Sequence, residues 1–218
     1  MNNATTNNLV LHNICKSYGA KDVIQDFSYK FSKGCHVLVG QNGGGKSTLL
    51  KLICGAEKID SGSIHFNKYD LAHNEVAFKQ QLGYAPDKLM IYPFLTGEEF
   101  LSMVFSIKKI KDQHSIDDIF NGFRIKPYLS YRLEEMSLGN QKKFMLAAAF
   151  IGNPNLLLLD EPTNEIDIDS KAYLITLITQ KNNEGKTVIC SSHDEEFMAK
   201  INPIKHSVTE ILKTEKVK

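Results

Sequence analysis

The stretch that most constrains this chain is GQNGGGKSTLL, residues 40–50, which follows directly on the apolar run CHVLVG. Gly40, Gly45, Lys46 and Ser47 fit the spacing G-x-x-x-x-G-K-[ST] of a phosphate loop. Successive backbone N–H groups can close on phosphate oxygens where glycine leaves no Cβ in the way. A helix starting at this point adds its positive end, and Leu49, Leu50 and Ile53 anchor it in a core. Lys46 suits the β- and γ-phosphates of a nucleotide, and the Ser47 hydroxyl suits Mg²⁺. A strand feeding such a loop and helix commits the chain to an α/β fold, a P-loop NTPase core with a mostly parallel sheet.

Two further apolar runs, LLLLD ending at Asp160 and TVICSSH ending at His193, read as parallel strands covered on both faces. Residues 24–31, IQDFSYKF, alternate at Phe27, Tyr29 and Phe31, as a half-buried antiparallel strand does, and SGSIHF (61–66) is its expected partner in a small antiparallel layer. Residues 88–150 carry helical signals instead. Thr96 with Glu99 forms a capping box ahead of Phe100, Leu101, Val104 and Phe105. Ser115 with Asp118 is expected to open a second helix through Ile116, Ile119, Phe120 and Phe123, before Pro127 interrupts and a third helix follows Ser137. The expected organisation is a disordered tail over 1–8, a P-loop core with its antiparallel layer over 9–87 and 151–218, and a helical subdomain over 88–150.

The second strand ends in Asp160 and Glu161. Ligands of open α/β sheets sit beyond the carboxyl ends of the strands, so both acids are expected beside the phosphate loop. Asp160 is suited to hold Mg²⁺ through water, and Glu161 to polarise an attacking water as general base. An acidic turn capping the next helix is the plainer alternative. His193, at the end of the third strand, is placed where a γ-phosphate sensor could sit.

Several function classes fall away on bulk properties. With 218 residues, 42% of them hydrophobic, the chain can bury a substantial core. A formal net charge of +1 gives no electrostatic case for nucleic acid or an anionic membrane surface. Cys15, Cys35, Cys54 and Cys190 are scattered and read as reduced thiols rather than a zinc or dithiol site. No apolar stretch approaches the roughly 20 residues a membrane-spanning helix needs, and MNNATTNN lacks a secretory pattern, so the chain is expected to be soluble and intracellular.

Taken together these segments resemble the ATP-binding subunit of an ABC transporter, over nearly the whole chain from about Leu9 to the third strand. GQNGGGKST resembles the family's Walker A element, which implies ATP contacts from Gly40, Asn42, Gly43, Gly44, Gly45, Lys46, Ser47 and Thr48. LLLLDE resembles Walker B, TNEID the D-loop ending at Asp167, and SSH the switch histidine. Tyr18 in KSYGAKDVI matches the aromatic that stacks on adenine, a contact worth roughly 1–3 kcal/mol per base in nucleic-acid binders.

MSLGNQKK is similar to the family signature Leu-Ser-Gly-Gly-Gln, with Met136, Leu138 and Asn140 as departures and Ser137 and Gly139 kept. The resemblance implies that Ser137, Gly139 and Asn140 meet ATP held by an opposing subunit, so that two copies, identical or different, sandwich two ATP molecules. Lys142 and Lys143 put positive charge near that helix start, against its dipole, a cost that a docked anion, Glu134 and Glu135, or solvent would offset. In LGYAPDKLM, Asp87 stands where the family usually has Gln. A carboxylate can serve the metal but cannot donate a hydrogen bond while ionised. An acid here is a feature of branches resembling drug and haem exporters.

The implied function is ATP hydrolysis that drives a separately encoded integral membrane permease, the subunit lying peripherally on the cytoplasmic face of the membrane. Tyr92, Phe94 and Leu95 are candidate permease contacts or core residues. A non-transport ATPase of the same fold, acting on ribosomes or DNA, is the alternative; a single cassette, near-neutral charge and no heptad run weigh against it, and no nucleic-acid partner is expected. Glu161 weighs against a third reading, a regulator that binds ATP without hydrolysis.

Overall fold

The computed structural model describes residues 7–88, 92–110 and 114–212. Strands β1 (Leu9–Tyr18) and β2 (Lys21–Phe31) pair antiparallel, and β3 (Gly34–Val39) delivers the chain to the phosphate loop and helix α1 (Lys46–Ile53). β4 (Ser61–Phe66) and the two-residue β5 (Tyr69–Asp70) complete a four-stranded antiparallel sheet of order β2-β1-β4-β5. The expected pair of strands is therefore separated by a third, β1, which lies between them.

Helix α2 (Glu75–Gln80) leads to β6 (Leu82–Ala85), and then come α3 (Gly97–Lys108), α4 (His114–Gly122), two 3₁₀ turns (Lys126–Tyr128 and Leu133–Glu135) and α5 (Leu138–Phe150). β7 (Leu156–Asp160), α6 (Ile168–Asn183), β8 (Thr187–Ser191), α7 (Glu195–Ile201), β9 (Ile204–Ser207) and α8 (Val208–Ile211) follow. The second sheet has the order β6-β7-β8-β3-β9, and every pairing in it is parallel.

Period-two alternation divides the apolar run of β7 between two cores. Leu156 and Leu158 join α1 and the inward side chains of the antiparallel sheet, among them Leu9, Phe31 and Phe66. Leu157 and Leu159 join α3, α5, α6 and α7 on the opposite face. Phe144 and Leu146 of α5 are fully buried in this second core, each contributing about 1.5–3 kcal/mol by leaving water. Thr96 caps α3 in the expected box: its hydroxyl accepts from Glu99 N, and the Glu99 carboxylate accepts from Thr96 N. α4 begins at His114, so Ser115 falls inside the helix rather than ahead of it. Pro127 lies in the first 3₁₀ turn, as a helix breaker should.

The tail expected over 1–8 needs correction at its inner end. Asn7 is buried and donates through Nδ2 to Gly185 O at 2.8 Å, and Asn8 N donates to Asn67 Oδ1. Residues 1–6, like the terminal KTEKVK, lie outside the described residues. The two sheets are also tied by a buried imidazole pair. His36 Nε2 lies 2.9 Å from Ser32 O, His36 Nδ1 lies 2.9 Å from His206 Nε2, and His206 Nδ1 lies 3.1 Å from the Tyr29 hydroxyl.

Candidate active site

The loop after β3 needs glycine at specific places. Gly40, Gly43 and Gly45 have φ of 151°, 77° and 96°, values that L side chains rarely adopt. Gly44 folds back to donate to Gln41 O at 3.1 Å. Gly45 is the left-handed N-cap of α1, and Lys46 is buried at the helix start. The lysine ammonium donates to Gly40 O at 2.7 Å and Gln41 O at 3.2 Å, and stands 3.0 Å from His193 Nε2. Asn42 and Ser47 are exposed beside it. Thr48, one residue on, lies close enough to the Tyr18 hydroxyl to act on its titration. That contact brings the end of β1 to the phosphate helix; the Tyr18 hydroxyl also donates to Glu57, and its ring remains half exposed.

β7, β8 and β3 are neighbours, so their carboxyl ends gather the remaining groups. Asp160 and Ser191 are paired across β7 and β8. The Ser191 hydroxyl donates to Asp160 Oδ1 at 2.6 Å and accepts from Glu161 N at 2.9 Å. Glu161 turns out of the strand with φ of 42°, a left-handed conformation costly for a non-glycine residue. Its Oε1 lies 3.5 Å from His193 Nε2. Burial pushes the Glu161 carboxyl above its ordinary value, against the opposing pull of His193 and Lys46, a direction that suits a base near neutral pH. Lys46, His193 and Glu161 are thus one contiguous network.

Asp87 sits in the loop after β6, at the edge of this group. Its Oδ1 accepts from Asn164 Nδ2 at 3.3 Å and stands 4.0 Å from Lys142 Nζ. Asp167 is the N-cap of α6: Oδ1 accepts from Ser170 N, and Oδ2 from the Ser170 hydroxyl and Lys143 Nζ. Both its oxygens are engaged within the chain.

The turn at Ser137 is separate. Its hydroxyl accepts from Asn140 N at 3.3 Å and caps α5, while Leu138 is 63% exposed. Gly139 lies so close to Glu165 O that a Cβ would stand 2.4 Å from it. Among the described residues no hydrogen bond joins residues 137–140 to residues 40–48. Lys142 and Lys143 are not solvated first-turn charges; both are buried, on Asp160 O and Pro86 O in one case and on Asp167 in the other. The sequence reading missed these partners, Asn164 and Ser191. A serine closing an apolar strand carries no mark of its role.

The donor set fits Mg²⁺. That ion is held by one or two carboxylates, a hydroxyl and substrate phosphates rather than by a closed protein cage. Ser47 and Asp160 offer such a set, and no group of three or more His, Cys, Asp or Glu able to hold a metal occurs among the described residues.

A glycine-rich loop and buried lysine at one strand end, with an acid pair and a histidine at the next two, are the parts of a P-loop nucleotide site. The model of the ABC transporter family matches residues 24–164, more than half the sequence, and the chain belongs to that family. It is 31% identical over 189 residues to the linearmycin resistance ATP-binding protein LnrL of Bacillus subtilis, the match covering 85% of this chain and 61% of that protein. It thus spans less than two thirds of that relative. A solved ATP-binding subunit of an ABC transporter superposes with a TM-score of 0.81 at 27% identity, covering 88% of this chain and 82% of that one. A bacterial ABC transporter cassette solved as a dimer shares the fold, with a TM-score of 0.77 at 20% identity and coverage of 92% and 95%. No helix among the described residues is long and apolar enough to cross a membrane.

Proposed function

We propose that this chain binds ATP with its phosphate loop and hydrolyses it as the motor subunit of a transporter. The observation that carries the reading is the Lys46–His193–Glu161 network at the ends of three adjacent strands. Lys46 and the loop amides neutralise the β- and γ-phosphates, Tyr18 stacks on adenine, and Glu161 takes a proton from the attacking water. His193, within reach of both Lys46 and Glu161, orients the base and senses the γ-phosphate. Ser47 and Asp160 would hold Mg²⁺, with Asp87 at its edge; the ion supplies charge neutralisation of the β- and γ-phosphate oxygens.

Two copies close around two ATP molecules, each offering Ser137, Gly139 and Asn140 to the nucleotide of the other. The exposed turn, with Leu138 outward, and the dimeric cassette of the same fold support this arrangement. The permease is a separate membrane protein, and the subunit works against the cytoplasmic face of the membrane. Exposed Tyr92 and Phe94, with ring centroids 5.6 Å apart, are candidate contacts for it. Export is the direction that Asp87 and the resistance-type relative favour.

The test is Glu161→Gln. Hydrolysis is expected to slow by about 10²–10⁴-fold with ATP affinity retained, and ATP is expected to hold the variant as a dimer in light scattering. Normal turnover, or a monomer at saturating ATP, would falsify the assignment.

A further inference from the structure

We propose that Lys142 is a positioning residue for hydrolysis, fixing the peptide between Asp160 and Glu161 from the first turns of the signature helix. The inference rests on the ATPase reading above and deepens it.

The Asp160 carbonyl and the Glu161 N–H belong to one peptide unit, and each end of that unit is held by a different side chain. The N–H donates to the Ser191 hydroxyl at 2.9 Å, and the carbonyl accepts from Lys142 Nζ at 2.9 Å. This is the peptide at which the chain turns to the left-handed φ of Glu161. A conformation of that kind persists only where its surroundings enforce it. Lys142 also donates to Pro86 O at 2.9 Å and Asp87 O at 3.4 Å, which uses all three of its N–H groups. One ammonium therefore joins the start of α5, the end of β6 and the end of β7.

Placing a lysine there is costly. The residue is 4% exposed, and burial holds its pKa below the ordinary lysine value, against the pull of Asp87 and Asp160. A leucine or methionine would fill the space without that desolvation. Among the described residues the nearest carboxylate oxygen, Asp87 Oδ1, is 4.0 Å away, so the cost is met chiefly by carbonyls. What the charge supplies that an apolar residue cannot is a fixed orientation for three backbone oxygens, one of them on the peptide leading into the candidate base. The Asp87 carboxylate accepts in turn from Asn164 Nδ2, at Oδ1.

The experiment compares Lys142→Met with wild type in steady-state ATPase assays, with thermal melting recorded for each. Lys142→Met is expected to lower kcat by about 10–100-fold while KM for ATP moves by less than about threefold. Lys142→Gln, which keeps amide donors for the carbonyls, guards against loss of the fold and is expected to recover part of kcat. In the Glu161→Gln background, single-turnover rates with and without Lys142→Met are expected to agree within about threefold, because a residue acting through the base has nothing left to orient. A folded Lys142→Met with wild-type kcat overturns the proposal, and so does a folded Lys142→Gln whose defect lies in KM rather than kcat. So does a loss that multiplies in full with Glu161→Gln. A wild-type chain that hydrolyses no ATP would instead overturn the ATPase reading and this inference with it.

Discussion

Gly139 is glycine for a reason found inside its own chain. Sequence reasoning assigns it to a close approach toward a nucleotide, whereas the structure lays it against Glu165 O, where an added Cβ would stand at 2.4 Å. The obstacle is a backbone carbonyl, which has no rotamer to escape into. Gly139→Ala is therefore expected to destabilise the isolated, nucleotide-free protein by about 1–3 kcal/mol, read as a lower melting temperature. An unchanged melt would mean that the turn rides free of the 161–167 loop. Nothing in the sequence separates these two reasons for a glycine, because both ask for a missing Cβ. Lys142 shows the same limit: its acceptors lie 18, 55 and 56 positions away in the chain, so its burial leaves no local trace.

Elements were legible where a local pattern sufficed. The phosphate loop, the leucine run of β7 and the Thr96–Glu99 box each declare themselves within a dozen residues. β1 did not, because Asn13, with φ of 48°, and register shifts around Ile14 break its alternation. Four-residue β6 and β9 are strands chiefly because a longer neighbour offers them hydrogen bonds. α6 starts at Asp167, whose carboxylate gathers Ser170 and Lys143. Burial would raise its pKa, but those hydrogen bonds outweigh it and bring the group down to about 2. The unfolded value is about 3.9, so its stabilisation is whole above that pH and drains away as pH falls toward the folded value. Asp167→Ala is expected to cost about 1–2 kcal/mol at neutral pH. In urea titrations its difference from wild type should shrink between pH 4 and pH 2 (about the two pKa values); a constant difference would assign the loss to packing.

At the scale of the molecule, the two sheets meet at His36, His206 and Tyr29. Ser32 O can only accept, so His36 Nε2 carries the proton; His36 Nδ1 then accepts from His206 Nε2, and His206 Nδ1 accepts from the Tyr29 hydroxyl. With the bonds running in this direction both rings are neutral. Burial lowers both pKa values, that of His206 to about 4, with His36 adding to its depression. For histidines with lowered folded values the stabilisation is complete above about pH 6.5 and is lost as pH falls toward the folded pKa. Denaturation midpoints are accordingly expected to fall between pH 7 and pH 5 (roughly spanning the unfolded histidine pKa), and His206→Phe to flatten that slope. A slope unchanged in the variant would assign it elsewhere. β7, β8 and β3 are locked to one another along five paired positions on each side of β8, and slipping any of them by one residue would turn its side chains to the wrong face. The separations among acid, imidazole and glycine loop are thus inherited from a lattice that cannot slide. Any change in those separations would have to enter from the rim, through the short segments beyond the strand ends.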